Sequence, residues 1–385
     1  MESGPRRAAS KQATTMDIEN TAMTVVPHSH IPYGPEGTGA YTKSQTTVRL
    51  AAYECIPIAL EALVSMDINP LHTFNIVDYG AADGGVDMPL LYEMVRYLRT
   101  KYGSDLPVHV SFEDQPVNDF KSTFLLLEGL LPEQEISSFS TDFPNTFVSA
   151  CGASFYKQCY PPLSVHFGYS STALHWLQEK PCNLPNATLH KFETDEKSTQ
   201  LFAVQAAKDW ELFLLQRAKE LVPGGHLVVA TLSRTMWDTE LFAPTLRAFV
   251  DDGTITEDEF VNTTLAMYFR TVDEVKAPFE EENSAVQKAG LRILSVREKT
   301  LEGQLYQQFI EEGLDVTGFA RGVVSGFRAW SNSTLLSGLA DTRSAQEKAD
   351  IVDKFYYRLQ QEVAKAPHLY KSSYSHIYVH ICKVE

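Results

Sequence analysis

Two hydrophobic rhythms alternate along the chain up to about Thr235. Apolar runs rich in β-branched and aromatic residues recur at 75–79, 106–114, 147–151, 165–169 and 226–232 and read as buried strands. Between them apolar residues return with helical spacing at 88–98 and 200–221, and earlier at 46–65 through Leu50, Ile56, Leu60 and Leu63. Pro57 should bend or split the 46–65 helix. Pro223-Gly224-Gly225 reads as the stop of the 200–221 helix, and Ser170 and Ser171 as candidate caps of a short helix over 172–179. The alternation predicts an α/β domain, closed by two more strands at 292–298 and 377–384. From 235 to 286 that rhythm stops. The acidic, helical-patterned segment 236–285, with parts of 305–345, is expected to cap a core made of 29–235 and 286–385. Residues 1–28 are small and polar and read as a disordered arm.

The densest chemistry follows the first strand, in Asp78-Tyr79-Gly80-Ala81-Ala82-Asp83-Gly84-Gly85. A strand that ends in a glycine turn and opens a helix is where α/β sheets bind nucleotides. A dinucleotide fingerprint needs a second glycine where Ala82 stands. Carboxylates at Asp78 and Asp83 would repel a pyrophosphate but suit the ammonium of an amino-acid-bearing nucleoside, S-adenosylmethionine. The alternative is a glycine-rich turn without a ligand. The next strand ends at Glu113-Asp114, and a carboxylate there matches two ribose hydroxyls, oxygen for donor.

Composition narrows the partners. A net charge of −16 argues against nucleic acid or an anionic membrane as the main partner. Five scattered cysteines, without a CxxC pair, read as reduced thiols of a cytoplasmic protein, and no zinc-ligand cluster is expected. His28 and His30 lie in the polar arm, whose Arg6, Arg7 and Lys11 leave an organelle-transit option open. No apolar run is long enough to span a bilayer.

Six blocks then stand in a recognisable order. They are Ala40-Tyr41-Thr42-Lys43-Ser44, Val77 to Gly84, Glu113 to Phe120, Ser154-Phe155-Tyr156, His166 to Leu177, and Phe213 to Gly225. Their order and content resemble the SABATH family of carboxyl methyltransferases, whose patterns include S-Y-A-x-N, D-L-G-C-S-S-G, N-D-L-P-x-N-D-F, G-S-F-Y, S-S-Y-S-L-H-W-L and F-L-x-x-R-A-x-E-L-x-x-G-G. The resemblance implies a class I, Rossmann-like methyltransferase fold with a seven-stranded sheet and a helical cap, S-adenosylmethionine as cofactor, a small carboxylic acid as substrate, and a homodimer. It implies cofactor contacts at Tyr41, Asp78, Gly80, Asp114, Gln115, Ser154, Phe155 and Ser171. It implies substrate contacts at His175, Trp176 and Thr172, with the Trp176 indole N–H on the carboxylate.

The sequence departs from the family at the acceptor side. Thr172 replaces the substrate-facing Tyr, and Val48 stands where a carboxylate-gripping Gln is usual, with Gln45 about one helical turn away. Arg270 stands where the family has Pro, either as an inward carboxylate partner or as an exposed loop cation. A carboxylic acid is ionised at neutral pH, so the implied reaction needs no catalytic acid or base. N-methylation of a purine-like heterocycle, or cofactor binding without chemistry, are the alternatives these departures leave.

Overall fold

β1 (Phe74–Tyr79) lies inside a sheet whose order is β3-β2-β1-β4-β5-β7-β6. The other strands are β2 (Val108–Asp114), β3 (Thr146–Gly152), β4 (Val165–Ser171), β5 (Leu221–Leu232), β6 (Leu291–Leu301) and β7 (Tyr374–Lys383). The computed structural model describes residues 31–131, 136–240, 242–371 and 373–384. The expected arm at 1–28 lies outside the described residues. β1 to β5 run parallel, and β7 inserts antiparallel between β5 and β6. The chain builds outward from β1 through β2 to β3, then returns to place β4 on the other side. That reversal opens a crevice beyond the carboxyl ends of β1, β2 and β4, where α/β sheets take their ligands.

The sheet is the class I methyltransferase arrangement the sequence predicts, with local differences. The long helix spans Glu196–Glu220, and β5 begins at once, so Pro223-Gly224-Gly225 lies within a strand and does not form a separate stop. Leu221 pairs with Val165, and the register shifts before Phe167 pairs with His226. A Cβ at Gly225 would sit 2.8 Å from the Val222 carbonyl oxygen, so only glycine passes through this bulge. The helix at Thr46–Ser65 continues through Pro57 without splitting. No helix forms over 172–179, as described below.

The sheet's two faces bury separate clusters. One joins the 46–65 helix and Met88–Tyr102 to β1, β2 and β4; the other joins Glu196–Glu220 to β5 and β7. A third cluster sits beyond the strand ends. It gathers Phe242, Phe249 and Phe260 with Phe319, Phe327 and Trp330 of Val316–Gly338 and Phe355 of Ala345–Lys365. Helix Val272–Glu280 instead packs against β6. Among the described residues no helix is long and apolar enough to cross a membrane, and no group of three or more His, Cys, Asp or Glu could hold a metal ion.

Candidate active site

The turn after β1 folds back over β2. The Gly80 and Ala81 N–H groups both donate to the Glu113 carbonyl, at 2.8 and 3.0 Å. Gly80 has φ +82, and a Cβ there would lie 2.5 Å from the Ala173 Cβ. Backbone conformation and space both demand glycine at this point. The resulting cleft, ≈ 600 Å³, has Tyr41, Gly80, Asp114, Gln115, Ser154 and Phe155 in its walls. These are six of the positions for which the family resemblance implies cofactor contacts.

Two backbone donors fix the Asp114 carboxylate. One carboxylate oxygen accepts from the Ala82 N–H and the other from the Gln115 N–H, both at 2.7 Å. Each oxygen keeps a lone pair for a further donor. Burial, only partly offset by these two bonds, pushes its pKa up to about 6. Ser154 and Phe155 follow β3, and the Phe155 ring meets Tyr156 and Phe213 edge-on.

Asp78 lies beneath this cleft and does not line it. It is fully buried, and neither carboxylate oxygen has a hydrogen-bond partner among the described residues. Burial, then the charges of Asp87, Asp114 and Glu113, raise its pKa well above the ordinary value. A lone buried carboxylate is costly until a proton or a cation meets it. An ammonium group supplies that cation, so this orphaned acid suits the amino-acid end of S-adenosylmethionine. Asp83, the other carboxylate of the turn, is committed elsewhere: it accepts from both the N–H and the hydroxyl of Thr42. It fixes the 40–44 helix against the turn. Ser171 also lies outside the cleft lining; it is buried, with its hydroxyl 3.3 Å from that of Thr172.

A second, smaller cavity of ≈ 310 Å³ adjoins the first, and Tyr41, Thr172 and Trp176 line both. Its other walls are aromatic or apolar, from Trp237, Trp330, Tyr374, Met267, Leu232 and Val48, with Gln45 and His175 as polar members. The Trp237 and Trp330 rings stack at 6.1 Å, and Trp330 meets Trp176 edge-on at 6.4 Å. Gln45 and Val48 therefore share one wall, and the Gln45 amide donates to the Gly326 carbonyl at 2.8 Å.

The segment carrying His175 and Trp176 is not a helix: it makes one turn, closed by the Trp176 N–H donating to the Ala173 carbonyl at 3.0 Å, and then an isolated bridge to Met267. Thr172 has φ +51, which turns the chain, and its N–H donates to the Ala230 carbonyl at 2.7 Å. The segment then pairs with 266–268: the Leu177 N–H donates to Ala266, and the Tyr268 N–H to the His175 carbonyl, each at 2.8 Å. Long-range pairing takes the backbone groups that a helix would have used. The Thr172 hydroxyl lies 2.8 Å from Nε2 of His376, a fully buried imidazole whose pKa burial lowers to about 3.

Arg270 corrects both of its readings. It is 2% exposed, and its guanidinium donates to the carbonyls of Leu174 at 2.6 Å and Ala206 at 2.9 Å. It braces the 172–179 segment from behind and does not line the smaller cavity. Sequence reasoning missed Tyr156, which lines the cleft, and most of the aromatic cavity. One signal was available: of four tryptophans, Trp237 and Trp330 fall beyond Thr235, where the strand–helix rhythm stops.

The family model of "SAM dependent carboxyl methyltransferase" matches residues 29–382. A probable S-adenosylmethionine-dependent methyltransferase of Arabidopsis thaliana is 26% identical over 81% of this chain and 84% of its own length. Loganic acid O-methyltransferase of Catharanthus roseus is 27% identical over 70% of this chain and 76% of its own. Among solved structures, a loganic acid methyltransferase with S-adenosylhomocysteine superposes with a TM-score of 0.71 at 20% identity. That match covers 93% of this chain and 99% of the other, and it supports the fold.

Proposed function

The chain belongs to the S-adenosylmethionine-dependent carboxyl methyltransferases, and within that family we propose that it esterifies a small, flat monocarboxylic acid with no second charge. The observation that carries this reading is the make-up of the smaller cavity. Aromatic rings and Met267 surround Gln45, Thr172 and His175, and among the described residues no Lys, Arg, Asp or Glu lines it. A second charge on the acceptor would be desolvated there without a partner.

S-adenosylmethionine, when bound, supplies a methyl group on a positively charged sulfur. In this reading Asp78 takes its ammonium, Asp114 its ribose hydroxyls, and Ser154, Phe155 and Gln115 border the adenine, with Tyr41 and Gly80 along its length. Ser171 acts only through Thr172. The acceptor lies against Trp176, His175 and Thr172 in the smaller cavity, its carboxylate directed to the junction ringed by Tyr41, Thr172 and Trp176. An acceptor carboxylate is already ionised, so these residues act by orientation and by excluding water. No residue is assigned as a general acid or base.

The reading extends to a cap made of 236–271, the part of 236–285 that precedes the helix packed on β6, and parts of 305–345, supported by Trp237 and Trp330 in the cavity wall. It extends also to a homodimer in the cytoplasm, which sedimentation and cell fractionation test. The acceptor is tested by incubating the protein with methyl-labelled cofactor and a panel of acids, with xanthines included. Base-labile label on a flat monoacid is the expected result. Label only on dicarboxylic acids, or base-stable label on a heterocycle, overturns the proposal.

A further inference from the structure

The Arg217-Ala218-x-Glu220 block near the end of the 196–220 helix has no role in the reaction as described so far. Arg217 and Glu220 are both fully buried and form an ion pair at 2.9 Å. From that pair, bonds run to two separate walls of the cofactor cleft. Arg217 donates to the carbonyls of Phe155 at 2.9 Å and Lys157 at 2.8 Å. Glu220 accepts from the backbone N–H of Cys159 at 2.6 Å and of Tyr160 at 3.2 Å. Its other oxygen accepts from the Tyr79 hydroxyl at 2.6 Å, and Tyr79 immediately precedes Gly80. The Arg217 guanidinium also lies over the Tyr79 ring, 4.2 Å from its centre.

We propose that Arg217 and Glu220 are positioning residues for the nucleoside end of the cofactor, holding the 154–160 loop in register with the turn after β1. The pair touches neither cavity, yet it sets the height of Phe155 above Gly80. The planar guanidinium is suited to this, because its fork of donors reaches two carbonyls and one carboxylate at once, which an ammonium cannot do. A buried ion pair is a poor way to gain stability for its own sake. Here two carbonyls and two N–H groups of the loop backbone, with the Tyr79 hydroxyl, take bonds from the pair, which points to placement as its purpose. The inference rests on the cofactor reading given above.

The test uses Arg217→Lys and, in case that variant does not fold, Tyr79→Phe, which removes only one bond. Affinities are measured for S-adenosylhomocysteine and for 5′-methylthioadenosine, which lacks the amino-acid end. In Arg217→Lys both should weaken by the same factor, about tenfold, while kcat at saturating cofactor stays within about threefold. Tyr79→Phe should weaken both equally and by less. Asp114→Ala runs beside them as the control for the cofactor reading. If Asp114→Ala weakens binding and neither positioning variant does, the inference fails and the cofactor reading stands. If Asp114→Ala also leaves binding unchanged, the cofactor reading fails and this inference with it. A fall in kcat matching the loss of affinity makes the pair general scaffold and overturns the proposal.

Discussion

The Tyr156 hydroxyl donates to the Trp176 carbonyl at 2.6 Å, so a residue of the cleft that suits the cofactor holds a residue of the adjoining aromatic cavity. Both groups are buried, and the bond spans the junction across which the methyl group would pass. Tyr156→Phe keeps the ring and removes the bond. It should cost about 1 kcal/mol of stability, the typical net worth of one such bond. Cofactor affinity should stay within about twofold, while kcat/KM for the acceptor falls roughly tenfold. Calorimetry together with steady-state kinetics checks this. Equal losses for cofactor and acceptor would show that the bond supports the whole site and not the alignment of its halves.

Gly80→Ala tests the cleft more severely. At φ +82 an L side chain is strained by about 1–3 kcal/mol, and its Cβ would press on Ala173 at 2.5 Å. Ala173 is in the cleft wall. The variant should melt at a lower temperature, and the rise in Tm on adding S-adenosylhomocysteine should be lost. A full ligand-induced rise would mean that the nucleoside lies away from this turn.

The sequence carried the parallel core because its strands are apolar on both faces, as Ile76, Val77, Val228 and Val229 show, and because glycine at 80 has a local cause. Asp114 was legible for the same reason, as an acid ending the strand next to the turn. The 172–179 segment was not. Its serines and apolar spacing satisfy a helix locally, but pairing with 266–268 decides its conformation from far along the chain. Arg270 was misread in the same way, since its partners Leu174 and Ala206 are remote in sequence. The aromatic cavity is built from Trp176, Trp237, Trp330 and Tyr374, which no local pattern connects.

Trp176→Phe separates packing from carboxylate contact. Trp176 is 9% exposed and stands in the walls of both cavities. Phenylalanine retains much of the apolar surface and removes the N–H. Acceptor kcat/KM should fall by roughly tenfold to a hundredfold, in line with one hydrogen bond to a charged group. Binding of S-adenosylhomocysteine should change little. Turnover like that of the native protein would make Trp176 a packing residue and shift the carboxylate toward Gln45 or His175.

The proposed role of Asp114 gives cofactor binding a pH dependence whose sign can be worked out. Its folded-state pKa is about 6, against an ordinary value of 3.8. A carboxyl raised on folding contributes stability that is fully present below its unfolded value and lost as pH rises through the folded one. Ligand-free protein should therefore lose this contribution between about pH 4 and pH 6. Ribose hydroxyls donate to the ionised form and favour it, so binding should release a proton in that range. Affinity should strengthen from pH 5 to pH 7 and level off above it. Asp78, also raised by burial, would add its own proton release with any ligand that carries the ammonium. 5′-Methylthioadenosine lacks that group, so its binding isolates Asp114. Titration calorimetry in buffers of different ionisation enthalpy reads the proton count directly. Asp114→Asn should bind this ligand weakly and without pH dependence across the range. Affinity of the native protein that is flat from pH 5 to pH 7 would remove the ribose from Asp114.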